Sequence, residues 1–388
     1  MASISKTTDG KWRVRGIKGT RADGTRKDVR KVFDKRREAV TFAATLDLDD
    51  GTPEDTHDMT LPDYYDKWIE AFKIGRHSAV TDEWYRVVGS YIREWFDNNH
   101  PGLLIADVDR TTYQAFLDWL GSNPRGKRQE PLSHSTVARV NSYMRAVLKD
   151  AIEDGYTNKD FTRRAIVGGT AEKDESEKYV DLSEFKKMIK LATQCADLDH
   201  MSNYIAVFMA LTGARFEEAL GVTWDNIDLA AGTVAFTHSW QYKTRKQHDN
   251  FGPLKNKQSY RTIPISNNLV EILSKLRIEQ QTAFMADGWR DEDNLVFRNA
   301  DHRIIGNEAM SKTVKGLCKA VGAKNTITSH GLRHSHGSML MYEGVELMSI
   351  SRRLGHASLA ITMRVYMHEI DELKQKDDKK TIKALNAL

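Results

Sequence analysis

Residues 328–368, TSHGLRHSHGSMLMYEGVELMSISRRLGHASLAITMRVYMH, gather His330, Arg333, His334, His336, His356 and Tyr366 into one short segment. The spacing predicts a helix that carries His330 and Arg333 on one face, with Leu340, Met341 and Val345 as the apolar residues behind it. Leu354-Gly355-His356 reads as a helix end, a turn and an exposed imidazole. Tyr366 then closes the run Thr362-Met363-Arg364-Val365-Tyr366. An arginine, histidines and a tyrosine offer a phosphate clamp, proton carriers and a nucleophile. Each also has a plainer reading: a tyrosine is usually a core or surface aromatic, and a His-x-x-Arg pair a solvated helix face. His330 and His334, at i,i+4, raise a metal site. Gly331, however, stands where an HExxH motif has its glutamate, and no nearby carboxylate completes a ligand set. The residues upstream decide between these readings.

Upstream lies Leu211-Thr212-Gly213-Ala214-Arg215-Phe216-Glu217-Glu218-Ala219-Leu220, then Trp224-Asp225-Asn226-Ile227-Asp228. Residues 253–265, PLKNKQSYRTIPI, follow. With these in hand, the chain resembles a tyrosine recombinase of the phage-integrase family. That family's pattern runs TGxRxxE, a lysine on a β-hairpin, HxxRH, LGH and TxxxY. The match falls at Arg215, Lys255, His330, Arg333, His356 and Tyr366, in order, with no departure at a catalytic position. Each short motif is weak alone; five in the right order are specific, and they cover roughly residues 178–370.

The resemblance implies DNA strand cleavage by transesterification. Tyr366 would attack phosphorus and form a 3′-phosphotyrosyl link that stores the bond energy for rejoining. Arg215 and Arg333 would hold the phosphate through charge-assisted, often bidentate bonds. Such contacts at developing charge are commonly worth about 3–4 kcal/mol each in the transition state. A tyrosine hydroxyl, with an ordinary pKa of about 10, needs a proton acceptor, a role the family gives to His330. Lys255 is the family's acid for the leaving 5′-oxygen; it is preferred over Lys257 because it matches the lysine of the family's PKT-like run. His356 would donate a hydrogen bond to the phosphate. Glu218 matches an acidic position that supports the site, against a plainer reading as a surface helix carboxylate. No metal or nucleotide cofactor is expected, since the two arginines and Lys255 supply positive charge. Two rival functions share these motifs. A type IB topoisomerase uses the same chemistry, but a separate N-terminal module and a helix after Tyr366 argue against it. A DNA-binding regulator on a catalytically silent scaffold is countered by the intact set of six residues.

Composition agrees with a globular protein of two or three domains: 388 residues, 40% hydrophobic and 29% charged. A net charge of +4 and a pI near 8.8 permit nucleic-acid binding without demanding it. The two cysteines, Cys195 and Cys318, fit no metal spacing and no disulfide framework, which suits a reducing cytoplasm. No apolar run is long enough to span a membrane, and residues 1–10 lack a signal-peptide core.

The expected fold class is multidomain and mainly α with small β-sheets. Residues 1–50 read as a three-stranded sheet plus a helix. Residues 3–6, 12–15 and 27–33 are the strands, broken by Asp9-Gly10 and Asp23-Gly24. Trp12 and Val14 alternate with Arg13 and Arg15, so one face is apolar and the other basic. Asp34 can cap the helix, whose stripe is Ala39, Phe42, Ala43 and Leu46. Arg13, Arg15, Lys18, Arg21, Arg26, Lys27, Arg30 and Lys31 crowd the strands, either as a solvated face or as phosphate contacts from a sheet in a DNA groove. The module is similar to the arm-binding domains of integrases. Residues 47–58 read as an acidic linker. Residues 57–165 read as helical, similar to the family's core-binding (SAM-like) domain, with three stripes: Trp84, Val88, Tyr91 and Trp95; Tyr113, Phe116, Leu117 and Leu120; and Val140, Tyr143, Met144, Val147 and Ala151, the last started by Ser133 or Ser135. Arg125, Lys127, Arg128, Arg139, Arg145 and Lys149 are candidate phosphate contacts there. Residues 168–177 read as a second, flexible linker.

Residues 175–388 read as the mixed α/β catalytic domain that the resemblance implies, with a C-terminal tail helix. Asp181-Leu182-Ser183-Glu184 opens it as a capping box, Tyr204, Phe208 and Leu211 lead to Arg215, and residues 229–237 and 254–265 supply strands. In the tail, Ile382, Leu385 and Leu388 form a stripe too short to hold as an isolated helix. It either frays, docks on its own domain or, as the family implies, docks on a neighbouring subunit. Burying those residues would contribute about 4–8 kcal/mol before ordering costs. The resemblance thus implies an integrase of a phage or integrative element that acts on core and arm attachment sites as a homotetramer. Its partners would include an excisionase and a host DNA-bending protein, in the cytoplasm at the nucleoid.

Overall fold

The structure, a computed structural model, describes residues 3–7, 9–20, 26–47, 58–124, 126, 129–171, 174–242, 248–365 and 385–386. Side chains at 17–20, 26–28, 44–47, 175–176 and 364–365 are likewise outside what is described. The chain divides into two compact units, Met1–Glu172 and Lys173–Leu388. The first begins with an antiparallel sheet of β1 (Ser3–Lys6), β2 (Trp12–Thr20) and β3 (Arg26–Phe33), followed by α1 (Arg36–Asp47). The alternation along β2 puts Val14, fully buried, against Ala39 and Ala43 of α1, with Trp12, Val29, Phe33 and Phe42 around them. The opposite face carries Arg13, paired across the ladder with Val32, and Arg15, paired with Arg30. Lys31 belongs to the inner side, its ammonium 5.2 Å from the Phe42 ring. Asp34 directs its carboxylate to Lys11, 2.9 Å away, two residues before α1 begins.

Four helices follow: α2 (Leu61–Phe72), α3 (Ala79–Asn99), α4 (Arg110–Ser122) and α5 (His134–Glu153). Each starts where the sequence offers an oxygen to an orphan amide: the side chains of Thr60, Ser78, Asp109 and Ser133 accept from the amide three residues on. Of the two serines available to α5, Ser133 is therefore the cap. The α4 stripe is buried as expected, and Val140, Met144, Val147 and Ala151 of α5 are fully buried. The buried face of α3 is rotated from the expected one: it holds Val88, Ile92, Trp95 and Phe96, and leaves Trp84 and Tyr91 at the edge. Arg139 covers the Trp84 ring at 4.7 Å. Polar bonds between the helices fix their order, including Trp68 Nε1 to Asp150 (2.7 Å) and Tyr64 OH to Asp154 (3.1 Å).

The start of the second linker is docked rather than free. Thr170 bridges Ser133 in parallel, with His134 N–Thr170 O at 2.9 Å and Thr170 N–Leu132 O at 3.0 Å. The reason is the pair of glycines before it: a Cβ on Gly121 would meet the Gly169 nitrogen at 2.6 Å, so only bare backbone packs there. The acidic linker expected at 47–58 lies almost wholly outside the described residues.

The second unit is built on α7 (Met201–Thr212), which has no charged residue and is buried along nearly its whole circumference. Around it lie α6 (Leu182–Gln194), α10 (Asn307–Ala320) and α11 (Ser329–Tyr342). The Asp181 capping box forms, its amide donating to Glu184 Oε2 at 3.2 Å. After the short α8 (Phe216–Leu220) come β4 (Ile227–Asp228), β5 (Thr233–Phe236), β6 (Ser239–Trp240), β7 (Phe251–Gly252) and β8 (Arg261–Pro264). They make a β4-β5-β8 sheet and a separate β6-β7 ladder. The expected strand over 254–265 is thus shorter: residues 255–256 are a bend and Lys257–Ser259 a 3-10 turn. Next come α9 (Asn267–Ala286), α12 (Leu347–Leu354) and α13 (Leu359–Val365). The tail stripe, apart from Leu385, lies outside the described residues. Among the described residues, no helix is long and apolar enough to cross a membrane.

Candidate active site

Two left-handed glycines shape the site. α7 ends at Gly213 (φ +70°), where a Cβ would strike the Leu354 and His336 side chains at 2.5 and 2.8 Å. α12 ends at Gly355 (φ +66°), where a Cβ would meet the Gln258 carbonyl at 2.9 Å. Only glycine takes both that backbone and that closeness at low cost. The chain turns out of α7 into Arg215, which precedes α8, and out of α12 into His356.

Arg333, on the buried side of α11 and 2% exposed, locks these turns together. Its Nη1 donates to the Gly213 carbonyl (2.7 Å) and its Nη2 to the Leu354 carbonyl (2.5 Å). One guanidinium thereby satisfies the carbonyl ends of two helices. Arg215 donates from Nη1 to Glu218 (2.5 Å) and to Ser259 Oγ (3.1 Å), and from Nη2 to the Gly355 carbonyl (3.4 Å). Its side chain remains 21% exposed. Glu218 is no surface carboxylate. It is 2% exposed and bridges Arg215 and Arg261, the latter at 3.0 Å. Burial pushes its pKa up, but the charges of Arg261, Arg215 and Arg333, with the Arg215 amide, overcome this and hold it below the ordinary range.

His356 is half-buried, not exposed, because its Nδ1 sits 2.7 Å from the hydroxyl of the buried Thr362 on α13. His330 faces solvent at the second position of α11. The pKa of each imidazole is pushed down to about 3, first by desolvation on its inner side and then by like charge. Arg333 and Arg215 act on both rings, and Lys255 on His330. These groups therefore share one cationic neighbourhood in which both imidazoles are neutral at neutral pH. Lys255 is exposed on the bend three residues after β7, not within a hairpin strand; Asn256 caps the turn that follows and Lys257 begins it. The His334 ring stands edge-on to His330, centroids 4.8 Å apart. Among the described residues, no group of three or more His, Cys, Asp or Glu could hold a metal.

Tyr366 lies outside the described residues; α13 ends at the residue before it. The same holds for Arg125, Lys127 and Arg128 and for the side chains of Arg26 and Lys27. Arg13, Arg15, Arg30 and Arg139 are exposed on the first unit. Three residues behind the site were not singled out as functional in the sequence: Arg261, Arg353 and Ser259. Arg353 donates to the His336 Nε2 (3.0 Å) and to the carbonyls of Pro264 (2.9 Å) and Leu211 (3.0 Å). His336, 1% exposed with Nδ1 2.8 Å from the Ala210 carbonyl, is held neutral by that burial and by Arg353, its pKa lowered to about 3.

Surplus positive charge, two guanidiniums anchored in fixed geometry and two neutral imidazoles give the site the electrostatics to receive an anion. Residues 178–372 match the phage integrase family, and residues 60–165 match the phage integrase SAM-like domain. The chain belongs to the phage integrase family. It is 26% identical over 376 residues to a XerC-like tyrosine recombinase of Caldanaerobacter subterraneus subsp. tengcongensis, covering 91% of each chain. It is 24% identical over 384 residues to the ICEBs1 integrase of Bacillus subtilis, covering 94% of this chain and 95% of that one. Its fold is similar to that of a Tn1549 transposon integrase in complex with transposon right end DNA, with a TM-score of 0.62 at 16% identity, over 79% of this chain and 95% of that one.

Proposed function

We propose that this site-specific tyrosine recombinase is an integrase that inserts and excises a mobile element, with Tyr366 as its nucleophile. The observation that carries the residue roles is the convergence of Arg215, Arg333, His330 and His356 in one cationic neighbourhood organised by Arg333 and Glu218. In the proposed step, the Tyr366 oxygen bonds to the scissile phosphorus as the bond to the 5′-oxygen breaks. The tyrosine proton passes to neutral His330, and Lys255 gives a proton to the departing 5′-oxygen. Arg215 and Arg333 hold the non-bridging oxygens, already oriented and so at little reorganisation cost. His356 adds a hydrogen bond to the same phosphate. The reverse sequence, with a new 5′-hydroxyl as the attacking group, rejoins the strand. An incoming phosphate dianion-like transition state would raise both imidazole pKa values from their low resting position, which favours proton acceptance as charge develops.

The same reading extends to the rest of the chain. Residues 1–50 bind arm-type DNA through Arg13, Arg15, Arg26, Lys27 and Arg30. Residues 57–165 close over the core site, with Arg125, Lys127, Arg128 and Arg139 toward phosphates. Residues 175–388 cut, and four copies assemble on paired sites with an excisionase and a DNA-bending protein. A nicked core-site duplex that loses its 5′-hydroxyl fragment after cleavage tests the assignment, because the covalent protein–DNA adduct is then trapped. Trapping identifies a cutting enzyme; absence of adduct with every candidate attachment site would favour the silent regulator. Relaxation of supercoiled plasmid by monomers, without any recombinant product, would favour the topoisomerase.

A further inference from the structure

We propose that Arg261 is a positioning residue for strand cleavage: by occupying one oxygen of the buried Glu218 carboxylate, it leaves the charge of Arg215 available to the scissile phosphate. The inference rests on the reading of Arg215 as a phosphate clamp. The Arg261 side chain is only 7% exposed. All its nitrogens are committed: Nε to the Arg353 carbonyl (2.6 Å), Nη1 to the Ser259 carbonyl (2.8 Å) and Nη2 to Glu218 Oε2 (3.0 Å). The guanidinium also lies 4.2 Å from the centre of the Phe236 ring.

Charge bookkeeping gives these contacts their meaning. Glu218 is 2% exposed, so its charge is felt at close range and weakly screened. It faces two guanidiniums, and only Arg215 is partly open to solvent. With both present, the trio carries one net positive charge, at the exposed end. Without Arg261, Glu218 would neutralise Arg215, and the phosphate would meet an ion pair of no net charge. The other two bonds of Arg261 brace the turn after Lys255, through Ser259, and the helix end before His356, through Arg353. Lysine has the charge but not the planar fork that makes three bonds in three directions.

Single-turnover adduct formation on the trapping substrate, at saturating DNA, tests this. Arg261→Met is expected to cleave about 10²-fold more slowly, the scale of one lost transition-state donor. Its affinity for the core site is expected to stay near wild type. Adding Glu218→Gln to Arg261→Met removes the carboxylate that neutralises Arg215, and is expected to restore cleavage about tenfold over Arg261→Met alone. A purely scaffolding role predicts the opposite order, with the double variant slower still, and that result would overturn the proposal. So would wild-type cleavage by Arg261→Met. Arg261→Lys covers the case in which the methionine variant does not fold: it should cut faster than Arg215→Ala, which lacks the clamp charge, and slower than wild type. A rate equal to that of Arg215→Ala would overturn the charge account. Wild-type adduct on the same substrate separates the two claims, since its absence would refute the strand-cleavage reading itself.

Discussion

The two units of the chain use arginine in opposite ways. In the second, Arg333 and Arg261 are almost wholly buried, and carbonyls or a carboxylate take up their donors. In the first, Arg13, Arg15 and Arg30 stand on an open sheet face, with Arg15 directly opposite Arg30 across the ladder. A buried guanidinium is fixed before any phosphate arrives, so it can favour one transition state. Like charges opposed on an exposed sheet disfavour the free protein and are relieved by an anion of any sequence. The difference teaches that positive charge alone identifies no active site here: what separates clamp from patch is whether the structure has already satisfied the rest of the side chain.

Removing the clamp should have the largest effect. Arg333→Ala is expected to lower single-turnover cleavage at least about 10²–10³-fold. It should also destabilise the protein, because the Gly213 and Leu354 carbonyls lose their donors, at a cost of about 1–3 kcal/mol each. Neither loss should depend steeply on salt, and cleavage rates with thermal melts at several salt concentrations check both. A clamp loss that high salt abolishes would erase the distinction between the two kinds of arginine.

A second effect is intermediate in size. His336 is buried neutral with its pKa lowered to about 3, against an ordinary 6.5. Between those values the unfolded chain binds a proton that the folded chain refuses, so stability must fall as pH drops from 6.5 toward 3. The share of His336 in that slope approaches about 1.4 kcal/mol per pH unit, beside like shares from His330 and His356. His336→Gln, which can donate to Ala210 and accept from Arg353 while staying uncharged, should flatten that part of the profile in chemical denaturation at a series of pH values. An unchanged slope would mean that His336 is not one of the proton-refusing groups.

The exposed face should give the smallest and most salt-dependent effect. Arg15→Gln and Arg30→Gln are each expected to reduce the slope of log binding constant against log salt by about 1 on arm-type DNA. Cleavage of an isolated core site at saturation should not change. Deleting residues 1–51 should abolish arm binding while core cleavage persists. Fluorescence anisotropy with separate arm and core duplexes, read beside adduct formation, decides this; a loss of core cleavage would show that the sheet belongs to the catalytic fold.

Much of this was legible in the sequence for identifiable physical reasons. The helical spacing of Tyr204, Phe208 and Leu211, the Asp181 cap, the serines before α5 and the alternation of β2 are local signals, and each produced the expected element. The ordered motifs named the cationic residues that the fold then gathers. Less legible was what depends on tertiary partners. Glu218 stands out by its motif position, but that Arg261 is its second partner shows only in the fold. The face of α3 turned because Ile92 and Phe96 outcompete the partly polar Trp84 and Tyr91 for burial. The linker at Gly168-Gly169 docked because two backbones without side chains can touch. Arg261 did leave a trace: it shares the inward phase of β8 with Ile263, and an arginine in an apolar phase of a strand marks a buried charge seeking a partner.

The most direct test of the account is the site of covalent attachment. The trapped adduct, digested and sequenced by mass spectrometry, should carry the nucleotide remnant on Tyr366 through a 3′-phosphate, and Tyr366→Phe should bind the same duplex with unchanged affinity and form no adduct. An adduct on another residue, or one that survives in Tyr366→Phe, would contradict it.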